Sequence, residues 1–356
     1  MTAVLPDRYS VRPIRPEDGD VVADHVAAND VRLIGFSQYS REGIANHLRD
    51  PLIDLAVDSW LVTAGPDLVG TGTVVLDGGR AQVDLSSADP LVAGWMLDHA
   101  IERAADHARK TGAEIAIKLG LLREDEQTAA LAADRGLLVH TTVQRMTIRY
   151  AGPLEPPATP DGVVLRRGAR DEQIRRAAHQ VITDSFADQP GSVPRPYDDW
   201  VKQRESRSTF DWSKLTVLEL DGRPVGVREC DDNYLTTEHC GYIGRLGVVT
   251  AARGRGLAKY LLRDAFALDS TAGLSGTILH VDTGNPTPPS RSTSRLACGR
   301  TSSTTSGERS SRPRVIDVLA GAVAVHPGEE VNSGRPGSPW SRPVPFGCPP
   351  AGADPG

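Results

Sequence analysis

Residues 246–259 constrain the fold and the chemistry of this chain more than any other stretch. An apolar, β-branched run at 243–249 is followed by alternating arginine and glycine at 253–256, and then by a helical pattern of apolar residues. This order predicts a strand, a glycine-rich turn and a helix N-terminus in direct succession. The first N–H groups of a helix lack intrahelical acceptors, and the helix dipole adds partial positive charge there. We therefore expect the turn to bind a phosphate or pyrophosphate.

The composition of the turn agrees with that expectation. Gly254 and Gly256 let the backbone approach a ligand without a Cβ atom in the way, and Arg253 and Arg255 supply positive charge. A Walker loop is excluded because no Gly-Lys-Ser/Thr follows. A dinucleotide fingerprint is excluded because Tyr260 stands near where a third small residue is needed.

Charge and composition limit the partners. The 356-residue chain has a formal net charge of −6, which disfavours a nucleic-acid-binding surface. It has neither an apolar run long enough to span a membrane nor a signal-peptide core, so we expect a cytoplasmic protein without membrane contact. The cysteines have neither zinc spacing nor the pattern of a disulfide framework, and no metal is expected; they are Cys230, Cys240, Cys298 and Cys348.

The first 150 residues alternate between strand and helix patterns. Helices are predicted near 16–30, 40–49, 90–111 and 124–135, and strands near 10–15, 59–64, 69–76, 80–85, 114–119 and 137–150. A proline-rich linker follows, and the pattern then restarts: 163–171 resembles 11–18, and 216–226 resembles 61–70. The chain is therefore predicted to be a tandem repeat of one α/β unit.

The turn also carries a resemblance to a known family. Arg253, Gly256 and Ala258 form an Arg-x-x-Gly-x-Ala pattern after the predicted strand, and 279–286 ends in Asn285 and Pro286 like the family's next strand. In both respects the sequence resembles the GNAT superfamily of acetyl-CoA-dependent N-acetyltransferases.

The resemblance implies a fold and a domain order. The fold would be α/β (α+β), with two tandem GNAT-like domains, each a mixed, mostly antiparallel sheet flanked by helices, that pack on each other. The boundaries would be 1–152 for a degenerate first domain, 153–162 for the linker, 163–285 for a truncated second domain and 286–356 for a low-complexity, mostly disordered tail.

The resemblance also implies a site. Acetyl-CoA would be the acyl donor, and a small molecule or protein would supply the accepting amine. Backbone N–H groups of the splayed strand would hold the pantetheine and polarise the thioester carbonyl, while the turn would hold the pyrophosphate. The expected donor-binding residues are Leu246, Gly247, Val248, Arg253, Gly254, Arg255, Gly256, Leu257, Ala258 and Asn285.

The first copy lacks this turn. Ser86-Ser87-Ala88-Asp89 stands between its strand and helix, and Asp89 would place negative charge where a pyrophosphate should lie. We expect a non-catalytic partner domain; the alternative is that it binds CoA through another loop.

No catalytic residue is assigned from sequence. An acid or histidine among Asp231, Asp232, Glu238 and His239 could accept a proton from an ammonium substrate, or all four could lie on a solvated turn. The aromatic residues at 197–212 could line the acceptor pocket, but packing of a helix over 196–207 onto the sheet is the favoured interpretation.

The sequence changes character at Pro286. The remainder is rich in proline, serine and glycine, and only 315–325 has an apolar run, where a short helix is allowed. One choice of codons for 292–300 reads, in a shifted frame, as Tyr-Glu-Ser-Leu-Gly-Met-Arg-Pro, which resembles the family's missing segment. A lost reading frame near 287–290 is our hypothesis, with a genuine low-complexity tail as the alternative.

A lost frame would have structural and chemical consequences. The second sheet would end at an exposed edge after Val281, and the family's tyrosine that protonates the CoA thiolate would be missing. The rival function is therefore a non-catalytic CoA-binding or scaffold protein.

Overall fold

The computed structural model describes residues 4–187 and 194–282, and the backbone of residues 314–320. Its strands are β1 (Tyr9–Arg12), β2 (Ser59–Ala64), β3 (Asp67–Asp77), β4 (Arg80–Ser86), β5 (Ala116–Leu122), β6 (Leu137–Arg149), β7 (Val163–Arg167), β8 (Leu215–Leu220), β9 (Arg223–Asp231), β10 (Cys240–Val248), β11 (Gly276–Asp282) and β12 (Arg314–Ala320). Its α-helices are α1 (Gly19–Ile34), α2 (Arg41–Leu48), α3 (Leu55–Asp58), α4 (Pro90–Thr111), α5 (Glu126–Asp134), α6 (Glu172–Phe186), α7 (Tyr197–Glu205), α8 (Leu235–Glu238) and α9 (Leu257–Thr271).

The strands are hydrogen-bonded into one continuous sheet in the order β1-β2-β3-β4-β5-β12-β6-β11-β10-β9-β8-β7. Two neighbouring pairs are parallel, β4–β5 and β10–β11, and the other neighbours are antiparallel. Each parallel pair belongs to a strand–helix–strand unit, β4-α4-β5 in the first half and β10-α9-β11 in the second. The predicted mixed, mostly antiparallel α/β architecture with an internal repeat is confirmed.

The two crossover helices form where their sequences predict. Helix α4 begins after the cap Asp89, has a proline in its first turn and ends at Gly112 in the left-handed conformation. Its buried stripe, which includes Leu97 and Ala100, packs against Leu119 in the first-half core. Helix α9 buries Leu261, Leu262, Ala265 and Phe266, whereas Leu268 is exposed.

The predicted exposed edge after Val281 is wrong, because β6 of the first half pairs antiparallel with β11 along its whole length. A Cβ atom at Gly276 would overlap with the carbonyl oxygen of Ile148, so glycine is required for the two strands to approach. Met146 of β6 lies in one apolar cluster with β10 and α9 residues. The two halves therefore share both a sheet and a core.

Residues 314–320, where the sequence allowed a short helix within a mostly disordered tail, form a strand instead. β12 pairs antiparallel with β5 on one side and β6 on the other, and so fills a position within the first-half sheet. Two unpaired strand edges next to a β-branched apolar run explain why extended pairing is favoured over helix. The rest of the predicted tail, and Asn285, lie outside the described residues.

Candidate active site

The site is built on a wedge between β10 and β11. The two strands pair from Cys240 with Gly276 to Ile243 with Leu279, and the β9–β10 pairing then shifts register between Ile243 and Arg245. Beyond this bulge β10 pairs with β9, while β11 pairs with β6. Since no further β10–β11 pairing occurs in the described residues, the backbone edge of 245–248 is open toward the wedge.

The wedge leads to the glycine-rich turn. Gly254 and Gly256 have φ of +79° and +77°, a conformation that residues with a Cβ rarely adopt, and a Cβ at either position would meet nothing within 4 Å. Helix α9 starts at Leu257 with no side-chain cap. In the described part of the chain, no acceptor is found for the N–H groups of Gly254, Arg255 and Gly256. The turn therefore presents free N–H groups to open space, as an anion site requires.

The two arginines of the turn have different surroundings. The Arg253 guanidinium donates to the carbonyl oxygens of Val248 at 3.1 Å and Ser185 at 2.9 Å, so it fixes the turn against α6. These contacts of the Arg253 guanidinium were not predicted from the sequence. Arg255 is exposed, and no ion-pair partner for it is found in the described residues.

The strand residues have packing roles as well. A Cβ at Gly247 would come within 2.9 Å of Ser185 Cβ, so this glycine is needed for α6 to cross β10 closely. Val248 and Leu257 are buried in one apolar cluster, and Leu246 is half-buried beside it. The structure thus brings together every predicted donor-binding residue that it describes, from Leu246 to Ala258.

Asp231, at the end of β9, is the acid that faces the wedge. It is 3% exposed, accepts a hydrogen bond from the Asn233 N–H at 3.0 Å and lies 3.7 Å from the Arg207 guanidinium. Its Oδ2 would lie 3.6 Å from a Cβ at Gly244, the residue of the bulge. Burial raises the pKa of Asp231 to about 6, which the Asn233 hydrogen bond and Arg207 only partly offset.

The other three candidate bases have structural partners elsewhere. Asp232 pairs with Lys214, and Glu238 pairs with Arg145 of β6. His239 contacts Ser275 at 3.3 Å in an exposed turn. Asp232 and Glu238 are therefore held in ion pairs, and only His239 of the three lies in an exposed turn.

Sequence reasoning missed two groups on the wedge. The Tyr242 hydroxyl lies 3.1 Å from Nδ1 of His280 on the neighbouring strand, and burial lowers the pKa of His280 to about 4, so its imidazole is neutral at pH 7. On the same face of the sheet as Asp231, Glu229 binds the buried Arg204 at 2.6 Å. The sequence could have pointed to these groups, because they are polar residues within strand patterns that are otherwise apolar.

The aromatic residues at 197–212 pack against the helices and the sheet, which is the interpretation that the sequence favoured. Trp200 is 2% exposed and belongs to the apolar cluster between α6, α7 and the sheet, with Tyr197, Phe210 and Trp212 around it. The helix predicted over 196–207 is observed as α7.

The first half has the same wedge without the phosphate turn. β4 and β5 pair only as far as Val83 with Leu119. The α4 N-terminus is closed by Asp89, which accepts hydrogen bonds from the N–H groups of Leu91 and Val92 and from the Tyr9 hydroxyl. In the first copy this helix end is therefore occupied by the Asp89 carboxylate.

Two general features apply to the described residues. None of their helices is long and apolar enough to cross a membrane. No group of three or more histidine, cysteine or carboxylate side chains stands in a position to hold a metal ion.

Comparison with known proteins finds a family model that matches part of the second half. Residues 179–290 match the family model of the acetyltransferase (GNAT) family. No curated protein sequence is similar enough to this chain to count as a relative.

Solved structures share the fold of nearly the whole chain. A GCN5-related N-acetyltransferase from Sphaerobacter thermophilus has a TM-score of 0.71 at 20% identity, over 89% of this chain and 96% of that one. A tandem GNAT protein from the clavulanic acid biosynthesis pathway has a TM-score of 0.59 at 17% identity, over 88% and 98%. Saccharomyces cerevisiae N-myristoyltransferase with bound myristoyl-CoA has a TM-score of 0.56 at 10% identity, over 90% and 84%. The chain thus has a tandem GNAT fold, and its second half contains the segment that the family model recognises.

Proposed function

We propose that the second half is an N-acyltransferase that transfers an acetyl group from acetyl-CoA to an amine. The observation that carries this proposal is the open turn at Gly254–Gly256 in front of the uncapped helix α9, placed where β10 leaves β11. A pyrophosphate there would accept hydrogen bonds from the free N–H groups, and Arg255 would add charge. The open edge of 245–248 would bind the pantetheine and the thioester carbonyl.

Asp231 is the proposed general base. It faces the bulge at Gly244, where the wedge opens, and its raised pKa keeps it basic enough to accept a proton near neutral pH. A neutral amine would attack the thioester carbon, the new C–N bond would form as the C–S bond breaks, and the amine proton would pass to Asp231. CoA would leave as a thiolate.

The donor site is tested by CoA binding to the full chain. CoA at about 100 times its Kd should stabilise the protein by roughly 2.7 kcal/mol, measured as a rise in Tm. Gly256→Glu should abolish the rise, because a carboxylate and a strained side chain would occupy the phosphate site. Gly273→Glu is the matched control: Gly273 also has a positive φ of +79° and open surroundings, but it lies at the other end of α9. An unchanged CoA effect in folded Gly256→Glu protein would contradict the assignment.

Turnover separates the enzyme from the rival, a non-catalytic CoA-binding or scaffold protein. Release of free CoA thiol from acetyl-CoA is measured with a panel of amines, including small alkylamines, amino sugars and peptide N-termini. Amine-dependent release that Gly256→Glu removes supports the acetyltransferase. CoA binding without release for any amine would favour the non-catalytic alternative.

A further inference from the structure

A cavity of about 320 Å³ is lined by residues of the first half and by Asn233 of the second, whose N–H donates to Asp231. It is located where β4 and β5 separate, next to α1 and α2, and its apolar lining residues include Ile14, Val22, Val26, Leu33, Ile44 and Leu48. A space of this size accommodates a small organic molecule.

Three carboxylates are among the polar groups of the cavity. Asp30, Asp84 and Asp125 line it, and the lining residues include neither lysine nor arginine. His47 is the only other lining side chain that can carry charge, and its Nε2 contacts the Thr73 hydroxyl at 2.8 Å. The cavity therefore favours a positively charged ligand.

The three carboxylates differ in what already binds them. Asp30 accepts a hydrogen bond from the Gln38 N–H at 2.8 Å, and Asp125 caps α5 by accepting from the Thr128 N–H at 3.1 Å. For Asp84 no hydrogen-bond donor is found among the described residues, and its Oδ2 lies 3.9 Å from Nε2 of His47. Asp84 is thus the carboxylate left to bind a ligand.

A second observation points to the same end of the cavity. The Ser86 hydroxyl is buried and has no hydrogen-bond partner in the described structure, although a buried hydroxyl normally has one. Ser86 lies two residues after Asp84 on β4, so both side chains are on the same face of the sheet. A ligand donor between them would satisfy both groups.

We propose that the first half binds a small organic amine through this cavity. The ammonium group donates to the Asp84 carboxylate and to the Ser86 hydroxyl, and the apolar part of the ligand occupies the space between α1 and α2. CoA does not fit this description, because Asp89 closes the adjacent helix N-terminus and the cavity wall is negatively charged. The inference goes beyond the proposed acetyl transfer and does not depend on it.

Titration calorimetry on the full chain tests the proposal with 2-phenylethylamine, cyclohexylmethylamine and butylamine as probes. At least one amine should bind with 1:1 stoichiometry, and its alcohol analogue (2-phenylethanol for the first) should bind at least ~10-fold more weakly, since it lacks the charge. Asp84→Asn should weaken amine binding by ~10-fold or more. Asp20→Asn, at an exposed α1 position, is the control and should leave amine binding unchanged.

A second variant separates loss of binding from loss of folding. Ile44→Trp places bulk at the cavity wall and should block the amine while the Tm shows a folded protein. Gly256→Glu, in the other half, should still bind the amine, so failure of the CoA site would leave this result intact. Absence of binding for all three amines, equal binding of the alcohols, or full affinity in folded Asp84→Asn would each overturn the proposal.

Discussion

Asp89 caps the N-terminus of α4 at the position where Gly256 leaves the N-terminus of α9 open. Both residues follow the first strand of a parallel β-α-β unit, so they occupy equivalent places in the two halves. In the first half the carboxylate binds the N–H groups that in the second half remain available to an anion. Equivalent helix ends are therefore closed by a side chain in the first half and left without a side-chain cap in the second.

Asp89→Ala should lower the free energy of unfolding by about 1 kcal/mol through loss of the cap. It should not create CoA binding, because the first half has no glycine turn. Burial raises the pKa of Asp89, but the hydrogen bonds from Tyr9, Leu91 and Val92 outweigh it, and the net pKa is lowered.

That pKa gives the cap a pH dependence. Because the folded pKa lies below the unfolded value of about 3.9, the stabilisation is present above that pH and is lost as the pH falls through the folded pKa. Urea unfolding of wild type and Asp89→Ala at pH 7 and pH 3 measures this difference. A gap that does not narrow at pH 3 would contradict the role of the charged cap.

Sequence patterns predicted the helices, the tandem repeat and the turn because each depends on local periodicity and on glycine at specific positions. They did not predict the β6–β11 and β12 pairings, since these join residues more than a hundred positions apart. For the same reason they did not predict the contacts of Arg253, since its acceptors include Ser185, on a distant helix. The lost-frame hypothesis concerns residues outside the described ones, and the nucleotide sequence across codons 280–310 remains its direct test.

The contrast between Arg253 and Arg255 gives a second prediction. Arg255→Ala should weaken CoA binding about 3- to 10-fold at low salt and less at 0.5 M salt, because an exposed charge on a phosphate is screened. Arg253→Ala should lower the Tm, with CoA or without it, because it removes two hydrogen bonds between the turn, β10 and α6.

Calorimetry at two salt concentrations and thermal unfolding distinguish these effects. Arg263→Ala, at an exposed position further along α9, serves as the control for loss of one positive charge. Equal salt dependence in the Arg255 and Arg263 variants would argue against a phosphate contact of Arg255.

Asp231→Asn tests the proposed base. It should lower kcat/KM by about 10²- to 10⁴-fold while CoA still raises the Tm, because the amide cannot accept the amine proton. In the wild type, kcat/KM should rise with pH and level off above the Asp231 pKa of about 6. Asp232→Asn, which disrupts a Lys214 ion pair, is the neighbouring control and should retain activity.

The same residue has a stability signature that needs no acceptor substrate. Its folded pKa of about 6 lies above the unfolded value of about 3.9, so the folded state binds the proton more tightly. Its contribution to stability is therefore favourable below pH 4 and is lost as the pH rises from 4 to 6. Between pH 4 and pH 6, the Tm of the wild type should therefore fall relative to the Tm of Asp231→Asn. A constant difference would show that Asp231 is not desolvated in the folded protein.

β12 should contribute to the stability of the first half although it comes from the far end of the chain. Ile316 pairs with Leu121 of β5 and with Thr142 of β6, so its N–H lies in a strand with neighbours on both sides. Ile316→Pro removes that donor and leaves one buried acceptor unpaired, at a loss of about 1–3 kcal/mol. Urea unfolding should show the loss, and hydrogen exchange should show faster exchange of the Leu121 and Thr142 amides.

Val4→Pro, at a position that is 91% exposed, is the control and should change stability by less than about 0.5 kcal/mol. If Ile316→Pro leaves both measurements unchanged, β12 does not hold the first-half sheet together, and β5 and β6 must be stable with their facing edges unpaired.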